Sequence, residues 1–151
     1  MIHIRKASIQ DANILTEVGF QSFKSAHGYS APKKDIEEYM SLNFNETNFT
    51  KELSEEKNHF YLISYNEKVV GYTLLIFNKK EAQIPIENCA YLSRIYLLEE
   101  YYGLGLGKQL FDFIKILCTD YQQSGIWLNV WVENLRAIRF YKKMGFEIVG
   151  K

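Results

Sequence analysis

The sequence lacks the features that mark secreted, membrane-spanning and metal-binding proteins. It has only two cysteines, Cys89 and Cys118, which are isolated and form no C-x-x-C pair, so neither a disulfide framework nor a thiolate metal site is expected. The three histidines lie far apart and form no H-E-x-x-H unit, so we expect no bound metal. No apolar run approaches the roughly 20 residues of a membrane span, and the N-terminus shows no signal-peptide pattern. These absences favour a cytoplasmic protein with no membrane partner.

An excess of charge is also missing. The 18 lysines and arginines balance the 18 aspartates and glutamates, which gives a formal net charge of +0. This balance offers no broad electrostatic attraction for nucleic acid. A hydrophobic content of 47% with 24% charged residues is typical of a folded globular chain. With 151 residues and no Pro/Gly/Ser-rich linker, the sequence predicts a single domain over residues 1–151.

The hydrophobic periodicity predicts the element order β-α-α-β-β-β-α-β-α-β. Strands are predicted at residues 2–6, 60–65, 69–77, 90–98 and 126–132, with a final strand starting over residues 145–149. Helices are predicted after a capping box at residues 8–11, after a loop at residues 25–30, over 48–56, after residue 107, and over 134–144. The strand–helix–strand segment from 90 to 132 predicts a parallel pair with a right-handed crossover.

Three alternating glycines, Gly103, Gly105 and Gly107, join a predicted strand to an amphipathic helix. Glycine permits positive φ and close approach of a ligand to the backbone, and the helix start presents unpaired N–H groups to phosphates. The spacing is not the G-x-G-x-x-G of dinucleotide-binding folds, and Gln109 stands where a P-loop requires Ser or Thr. The glycines therefore indicate either a phosphate cradle or only a tight strand-to-helix turn.

A second phrase favours the first interpretation. The loop reads Y-G-L-G-L-G over 102–107, and a helix starting near Asn134 ends in F-Y-K-K-M-G-F over 140–146. Together they resemble the GNAT acetyltransferases, whose acetyl-CoA loop has the form R/Q-x-x-G-x-G/A. The resemblance implies an α+β, three-layer acyl-CoA N-acyltransferase fold. Its sheet is mixed and mostly antiparallel, with a splayed parallel pair and helices on both faces.

The resemblance also implies the site. Acetyl-CoA is the expected co-substrate, with Tyr141 as the general acid that protonates the departing thiolate. The residues expected to bind the cofactor are Ile95, Tyr96, Leu97, Tyr102, Gly103, Leu104, Gly105, Leu106, Gly107, Lys108, Asn134, Ala137 and Tyr141. One position departs from the family: Tyr102 replaces the usual Arg or Gln, a loss of charge for which Lys108 could compensate.

Some roles stay open at the level of sequence. Periodicity alone favours Tyr141 as a packing aromatic, and only the family phrase favours the acid role. Asn134 could be a helix cap or could hold the pantetheine arm. The general base could be Glu87, Tyr91, or Ser93 acting through water. The carboxylates at 99–100 are expected to form a solvated loop edge.

Within the superfamily, the phrases resemble bacterial PaiA-like polyamine acetyltransferases, which favours a spermidine- or spermine-like acceptor. The region expected to recognise a cationic amine carries Asp35, Glu37, Glu38, Glu46, Glu52, Glu55 and Glu56. A mixed, solvated helix surface is the alternative for that region. Alternative functions are acetylation of protein or peptide amines, and non-catalytic acyl-CoA sensing. The family comparison also suggests a homodimer, and a further C-terminal strand beyond this chain.

Overall fold

The computed structural model describes residues 1–28 and 31–150. Its core is one open five-stranded sheet in the order β1-β2-β3-β4-β5. The strands are β1 (Ile2–Lys6), β2 (His59–Tyr65), β3 (Lys68–Ile76), β4 (Cys89–Leu97) and β5 (Gly125–Trp127). The helices are α1 (Ala12–His27), α2 (Lys33–Asn43), α3 (Glu46–Ser54), α4 (Leu106–Asp120) and α5 (Leu135–Lys143). β1 to β4 pair antiparallel and β4 pairs parallel with β5, which confirms the predicted fold class.

The hairpin between β2 and β3 forms where the sequence predicts it. Its turn residues, Asn66 and Glu67, have φ values of 49° and 71°, the left-handed conformation that a tight hairpin turn needs. The strands then pair from Tyr65↔Lys68 to His59↔Leu75. The predicted strands at 60–65 and 69–77 are confirmed to within one residue.

Alternation of side chains along the central strands sends apolar residues to both faces of the sheet. The core beneath α1, α2 and α3 includes Leu15, Phe49, Phe60 and Tyr72. The core beneath α4, against which α5 also packs, includes Ile63, Leu75, Leu110 and Ile114. Helices therefore cover both faces, and the sheet is the middle of three layers.

The carboxylate of Asp11 fixes the connection between β1 and α1. It accepts hydrogen bonds from the Ser8 backbone N–H at 2.8 Å and from the two Arg5 guanidinium nitrogens at 2.9 and 2.7 Å. The hydrogen bond from Arg5 lowers the pKa of Asp11, so the carboxylate stays charged although the residue is buried. The capping box predicted at residues 8–11 is confirmed.

Two strand predictions are wrong in extent. The strand predicted at 126–132 is only Gly125–Trp127, and residues 146–150 after α5 form no strand. Alternating apolar residues favour an extended chain, but a strand also needs a hydrogen-bonded neighbour. β4 and β5 pair no further than Trp127, and Val132 and Val149 remain 71% and 63% exposed.

Helix boundaries differ in two places. α1 continues to His27, so the loop predicted at 25–30 is wrong for residues 25–27, while residues 29–30 lie outside the described part of the chain. α3 begins at Glu46 instead of near residue 48, because the Asn45 side chain accepts the Asn48 backbone N–H at 2.7 Å and caps the helix.

Within residues 1–28 and 31–150, no helix combines the length and the hydropathy needed to cross a membrane. The same residues contain no group of three or more His, Cys, Asp or Glu side chains placed to hold a metal ion.

Candidate active site

The sheet opens between β4 and β5. The two strands pair only from Cys89↔Gly125 to Tyr91↔Trp127, and the point where they part is called the fork below. Beyond the fork, residues 92–97 of β4 have no strand partner on that edge among the described residues. The expected splayed pair is therefore present, and an edge of β4 is left open to an extended ligand.

A bulge in β4 lies next to the fork. Leu74 pairs with Arg94 and Leu75 with Leu92, so Ser93 is an extra residue in β4. The buried Thr73 hydroxyl donates to the Arg94 carbonyl oxygen at 2.7 Å beside it. A bulge bends and twists its strand, which gives a local reason for β4 to diverge from β5 here.

The predicted residues of β4 lie beyond this bulge. Ile95 and Leu97 pack towards the α4 core, whereas Tyr96 packs towards the core of α1 to α3. Their side chains thus anchor the strand to both layers. Their backbone remains at the open edge of β4.

The glycine loop sits between β4 and α4. Gly103 and Gly105 have φ values of 82° and 77°, and a Cβ at either would meet nothing within 4 Å. Glycine is therefore favoured at these two positions by the backbone conformation and not by a lack of space. The space in front of the loop is open. Leu106 anchors the start of α4 in the core with 1% exposure, while Leu104 is half-exposed at 50%.

This loop presents the features of an anion-binding site. Gly105 is the N-cap of α4, so the N–H groups of the first turn lack intrahelical partners. The same helix end carries the positive pole of the macrodipole. Open space, free donors and partial positive charge coincide at residues 103–108.

α5 lies against this loop. A Cβ on Gly107 would come 3.4 Å from the Phe140 ring, so glycine lets the two elements approach closely. At the start of α5, the Asn134 side-chain oxygen accepts the Ala137 backbone N–H at 3.2 Å. Asn134 is therefore a helix cap, and its amide N–H groups are available for a ligand.

Tyr141 lies in the second half of α5. Its ring makes edge contacts with Phe140 and Phe146, at 5.5 and 5.6 Å between centroids. Burial raises the pKa of Tyr141 to about 12, and the nearby Tyr96 acts in the same direction. The structure thus brings Tyr96 of β4 and Tyr141 of α5 together, with Tyr141 held in its proton-bearing form.

Sequence reasoning missed an arginine at the loop. The Arg136 guanidinium of α5 lies over the Tyr102 ring, with its carbon 3.9 Å from the ring centroid. Lys108, the predicted compensating charge, instead donates to the Asp112 carboxylate at 2.8 Å. A cation does stand beside Tyr102, but it comes from a different helix.

The three predicted bases differ in setting. The Glu87 side chain is 79% exposed and lies 3.7 Å from the Lys80 ammonium. Tyr91 stacks on Trp127 at the fork, 4.1 Å between ring centroids. Ser93, at the bulge, lines a cavity of about 270 Å³. Tyr91 and Ser93 are thus next to the open edge of β4.

That cavity lies between α3 and the sheet, where an amine-recognising surface was predicted. Its lining comprises Asn48, Lys51, Glu52, Glu55, Lys57, Asn58, Leu74, Ile76, Ser93 and Arg94. The Glu52 carboxylate is bound by both terminal nitrogens of Arg94. Glu55 lies 3.7 Å from Lys57. Each of these two carboxylates therefore already has a cationic partner within the protein.

A second surface near the fork was not predicted. We call Phe23, His27, Tyr39 and Trp131 the aromatic wall. Phe23 stacks on Tyr39 at 5.0 Å and packs against His27 at 4.8 Å, and His27 lies 6.5 Å from Trp131. Burial lowers the pKa of His27. The missed signal is the i, i+4 spacing of Phe23 and His27 on one side of α1.

Similar sequences occur among acetyltransferases. A sequence profile of the acetyltransferase (GNAT) family matches residues 21–146. A protein of Lactobacillus delbrueckii subsp. lactis, named as an uncharacterized N-acetyltransferase, is 26% identical over 144 residues, which are 95% of this chain and 83% of that protein. The spermine/spermidine N(1)-acetyltransferase of Bacillus subtilis (strain 168) is 28% identical over 97 residues, which are 62% of this chain and 64% of that protein.

A solved structure extends the likeness to the whole fold. The PaiA N-acetyltransferase from Thermoplasma acidophilum, crystallised in complex with coenzyme A, superposes with a TM-score of 0.83 at 26% identity. The match covers 98% of this chain and 91% of that one. With the glycine loop, the fork and the sequence match in agreement, this chain belongs to the GNAT family and is an acetyl-CoA-dependent N-acetyltransferase.

Proposed function

We propose that this acetyltransferase transfers the acetyl group to a primary amine of a spermidine- or spermine-like polyamine, by direct attack in a ternary complex. The observation that carries the chemistry is the open edge of β4, which leads into the glycine loop and carries Tyr96 close to Tyr141. The relatives named above support the acceptor class, because one acts on spermine and spermidine by its name.

The donor half of the site uses backbone groups. The N–H groups of residues 103–108 hold the diphosphate, and residues 95–97 pair with the pantetheine arm as an added strand would. Asn134 and Ala137 complete this surface from α5. Acetyl-CoA supplies the acetyl group as a thioester.

Two groups of the chain then act on the reaction itself. A backbone N–H at the open edge of β4 stabilises the negative charge that develops on the carbonyl oxygen. Tyr141 donates its phenolic proton to the departing thiolate sulfur and is reprotonated from solvent. A neutral hydroxyl is required for that step, which burial of Tyr141 secures.

The amine must lose a proton before it attacks. An alkylamine has a pKa of about 10, so only about one molecule in a thousand is unprotonated at neutral pH. Ser93 and Tyr91 are the two candidates beside the open edge of β4, and their hydroxyls would pass this proton through water to solvent. Glu87 is excluded from the proposal because it is exposed and paired with Lys80.

The cationic remainder of the acceptor meets the aromatic wall. Ammonium groups bind favourably over aromatic faces. Asp35 precedes Tyr39 by one turn of α2, so it adds a negative charge to the same side of the helix. Among the described residues, no lysine or arginine forms an ion pair with Asp35. Repeated positive charges along a polyamine would therefore match Asp35 and the wall together.

The test is release of coenzyme A from acetyl-CoA with spermidine, spermine, simple diamines, lysine peptides, peptides with a free N-terminus and an aminoglycoside. We expect the highest kcat/KM with polyamines. Turnover restricted to peptides would leave acetyl transfer intact and overturn the polyamine acceptor.

A pair of α2 variants locates the acceptor. Asp35→Asn should raise KM for spermidine about fivefold, because one charged contact is worth roughly 1 kcal/mol. Glu38→Gln, an exposed change on the same helix, is the matched control. Equal effects of both variants would assign the result to general charge and contradict the proposed acceptor surface.

A further inference from the structure

We propose that Arg136 of α5 binds the diphosphate of coenzyme A and that Tyr102 positions it by stacking. Arg136 would thereby supply, from a different helix, the polar side chain that related loops carry at position 102. The inference rests on the proposed function in one respect, the placement of the diphosphate at residues 103–108.

The first observation is the stack itself. The Arg136 guanidinium carbon lies 3.9 Å from the centre of the Tyr102 ring, well inside the range of a cation–π contact. A guanidinium is planar and its N–H donors point outwards in that plane. A contact through the face of the guanidinium would leave its edge available for a phosphate, the geometry that arginine uses for bidentate binding.

The second observation is the position of this stack. Tyr102 directly precedes Gly103, the first glycine of the loop, and Arg136 is the second residue of α5. Capping of Ala137 by Asn134 holds this end of α5 in place, and Phe140 packs over Gly107. The Arg136 charge is therefore fixed beside the loop.

The third observation concerns competing charges. Within the described chain, no carboxylate lies in ion-pair distance of Arg136. Lys108, the nearest alternative in the sequence, is committed to Asp112 at 2.8 Å, and Asp112 also lies 3.5 Å from Lys115. Glu99 acts on Tyr102 electrostatically, but it forms no ion pair with the guanidinium. Arg136 is thus the available cation at this loop.

The experiment compares acetyl-CoA with S-acetylpantetheine, which carries the same thioester but lacks the diphosphate and the adenosine 3′-phosphate. Acetyl-dephospho-CoA keeps the diphosphate and lacks only the 3′-phosphate, so Arg136→Gln should affect it as it affects acetyl-CoA. We expect Arg136→Gln to raise KM for acetyl-CoA about tenfold, the effect of losing a charge-assisted hydrogen bond, with no matching fall in kcat. KM for S-acetylpantetheine should change less than twofold.

Arg139→Gln is the matched control, because Arg139 is exposed on the same helix one turn later. It should leave KM for all three donors within twofold of the unmodified enzyme. An equal rise with acetyl-CoA and S-acetylpantetheine after Arg136→Gln, or an equal rise in the Arg139 variant, would overturn the inference.

The positioning role of Tyr102 has its own test. Tyr102→Leu removes the ring and should raise KM for acetyl-CoA severalfold, but only while Arg136 is present. In Arg136→Gln the same change should add little, so the two effects are not additive. Full additivity would mean that Tyr102 does not act through Arg136.

Failure of the proposed function gives a different result. If no amine in the panel supports turnover, calorimetric titration with coenzyme A and with pantetheine still measures both affinities. A loss of coenzyme A affinity confined to Arg136→Gln would then support the inference while the acceptor assignment falls.

Discussion

The two edges of β4 have opposite structures. Towards β3, the backbone of β4 is paired from Ile76↔Tyr91 to Gly71↔Leu97. The side chains of the paired residues pack in the cores on the two faces of the sheet. Towards β5, pairing ends at Tyr91↔Trp127 and the remaining backbone is left open. One strand thus completes the packed sheet on one side and leaves hydrogen-bonding groups for a ligand on the other.

This difference shows how a small domain can hold a binding site without losing its core. The unpaired groups are backbone groups beyond a bulge and beside a glycine loop, while the side chains of the same segment stay packed against the two cores. The closed edge stabilises the strand, so the open edge can stay unpaired. Substitutions at the two edges should therefore affect different properties.

The largest effect is expected beside the open edge. Tyr141→Phe removes the proposed proton donor and should lower kcat about 100-fold, near the lower end for general acids. Because the pKa of Tyr141 is raised to about 12, the unmodified enzyme should show no loss of kcat from tyrosine ionisation below about pH 10. Tyr121→Phe keeps its stack on Phe77 and serves as the control. Full activity of the Tyr141 variant would refute the acid role.

The next effect compares two strand glycines, one on each side of β4. A Cβ on Gly71 of β3 would lie 2.5 Å from the Tyr96 carbonyl oxygen, whereas on Gly125 of β5 it would lie 3.5 Å from the Cys89 sulfur. Gly71→Ala should lower the free energy of unfolding by about 2 kcal/mol through overpacking. Gly125→Ala should change it by about 0.5 kcal/mol or less. Urea unfolding of both variants measures this, and equal losses would contradict the contrast between the edges.

The smallest effect is expected at Asp11, far from the open edge of β4. It is an effect on stability, and it depends on pH. The Arg5 hydrogen bond holds the pKa of Asp11 below its usual value, so Asp11 stabilises the fold above about pH 4 and loses this contribution as pH falls through its folded pKa. Asp11→Asn should lower the free energy of unfolding by about 1 kcal/mol at pH 7. The difference in unfolding free energy between the variant and the unmodified protein should be smaller at pH 3.

Asp120→Asn, at an exposed position without an ion pair among the described residues, is the control for Asp11. The kcat of the folded Asp11 variant should equal that of the unmodified enzyme. A gap in unfolding free energy that persists at pH 3 would show that the carboxylate charge is not its cause.

The sequence predicts best what depends on local pattern. Alternation located β2 and β3, and the glycines located the loop before α4. The alternation pattern predicted β5 too long, because alternation over 126–132 carries no information about where the neighbouring strand diverges. The bulge at Ser93 could not be predicted for the same reason, since it is defined by the pairing register between β4 and β3.

Contacts between distant residues were out of reach for a similar reason. Tyr102 and Arg136 are separated by 34 positions, and only the packing of α5 on the loop brings them together. The sequence therefore shows that position 102 lacks the usual polar side chain, but it does not show that Arg136 lies beside that position. The single-domain organisation, the homodimer and the cytoplasmic location stay predictions.

The fork has an optical consequence. Both tryptophans of the chain belong to this region: Trp127 stacks on Tyr91 at the last paired position, and Trp131 lies in the aromatic wall. Tryptophan fluorescence therefore originates on the β5 side of β4. The two tryptophans are thus an intrinsic fluorescent reporter of the proposed ligand-binding region, whereas the β3 side of β4 contains no tryptophan.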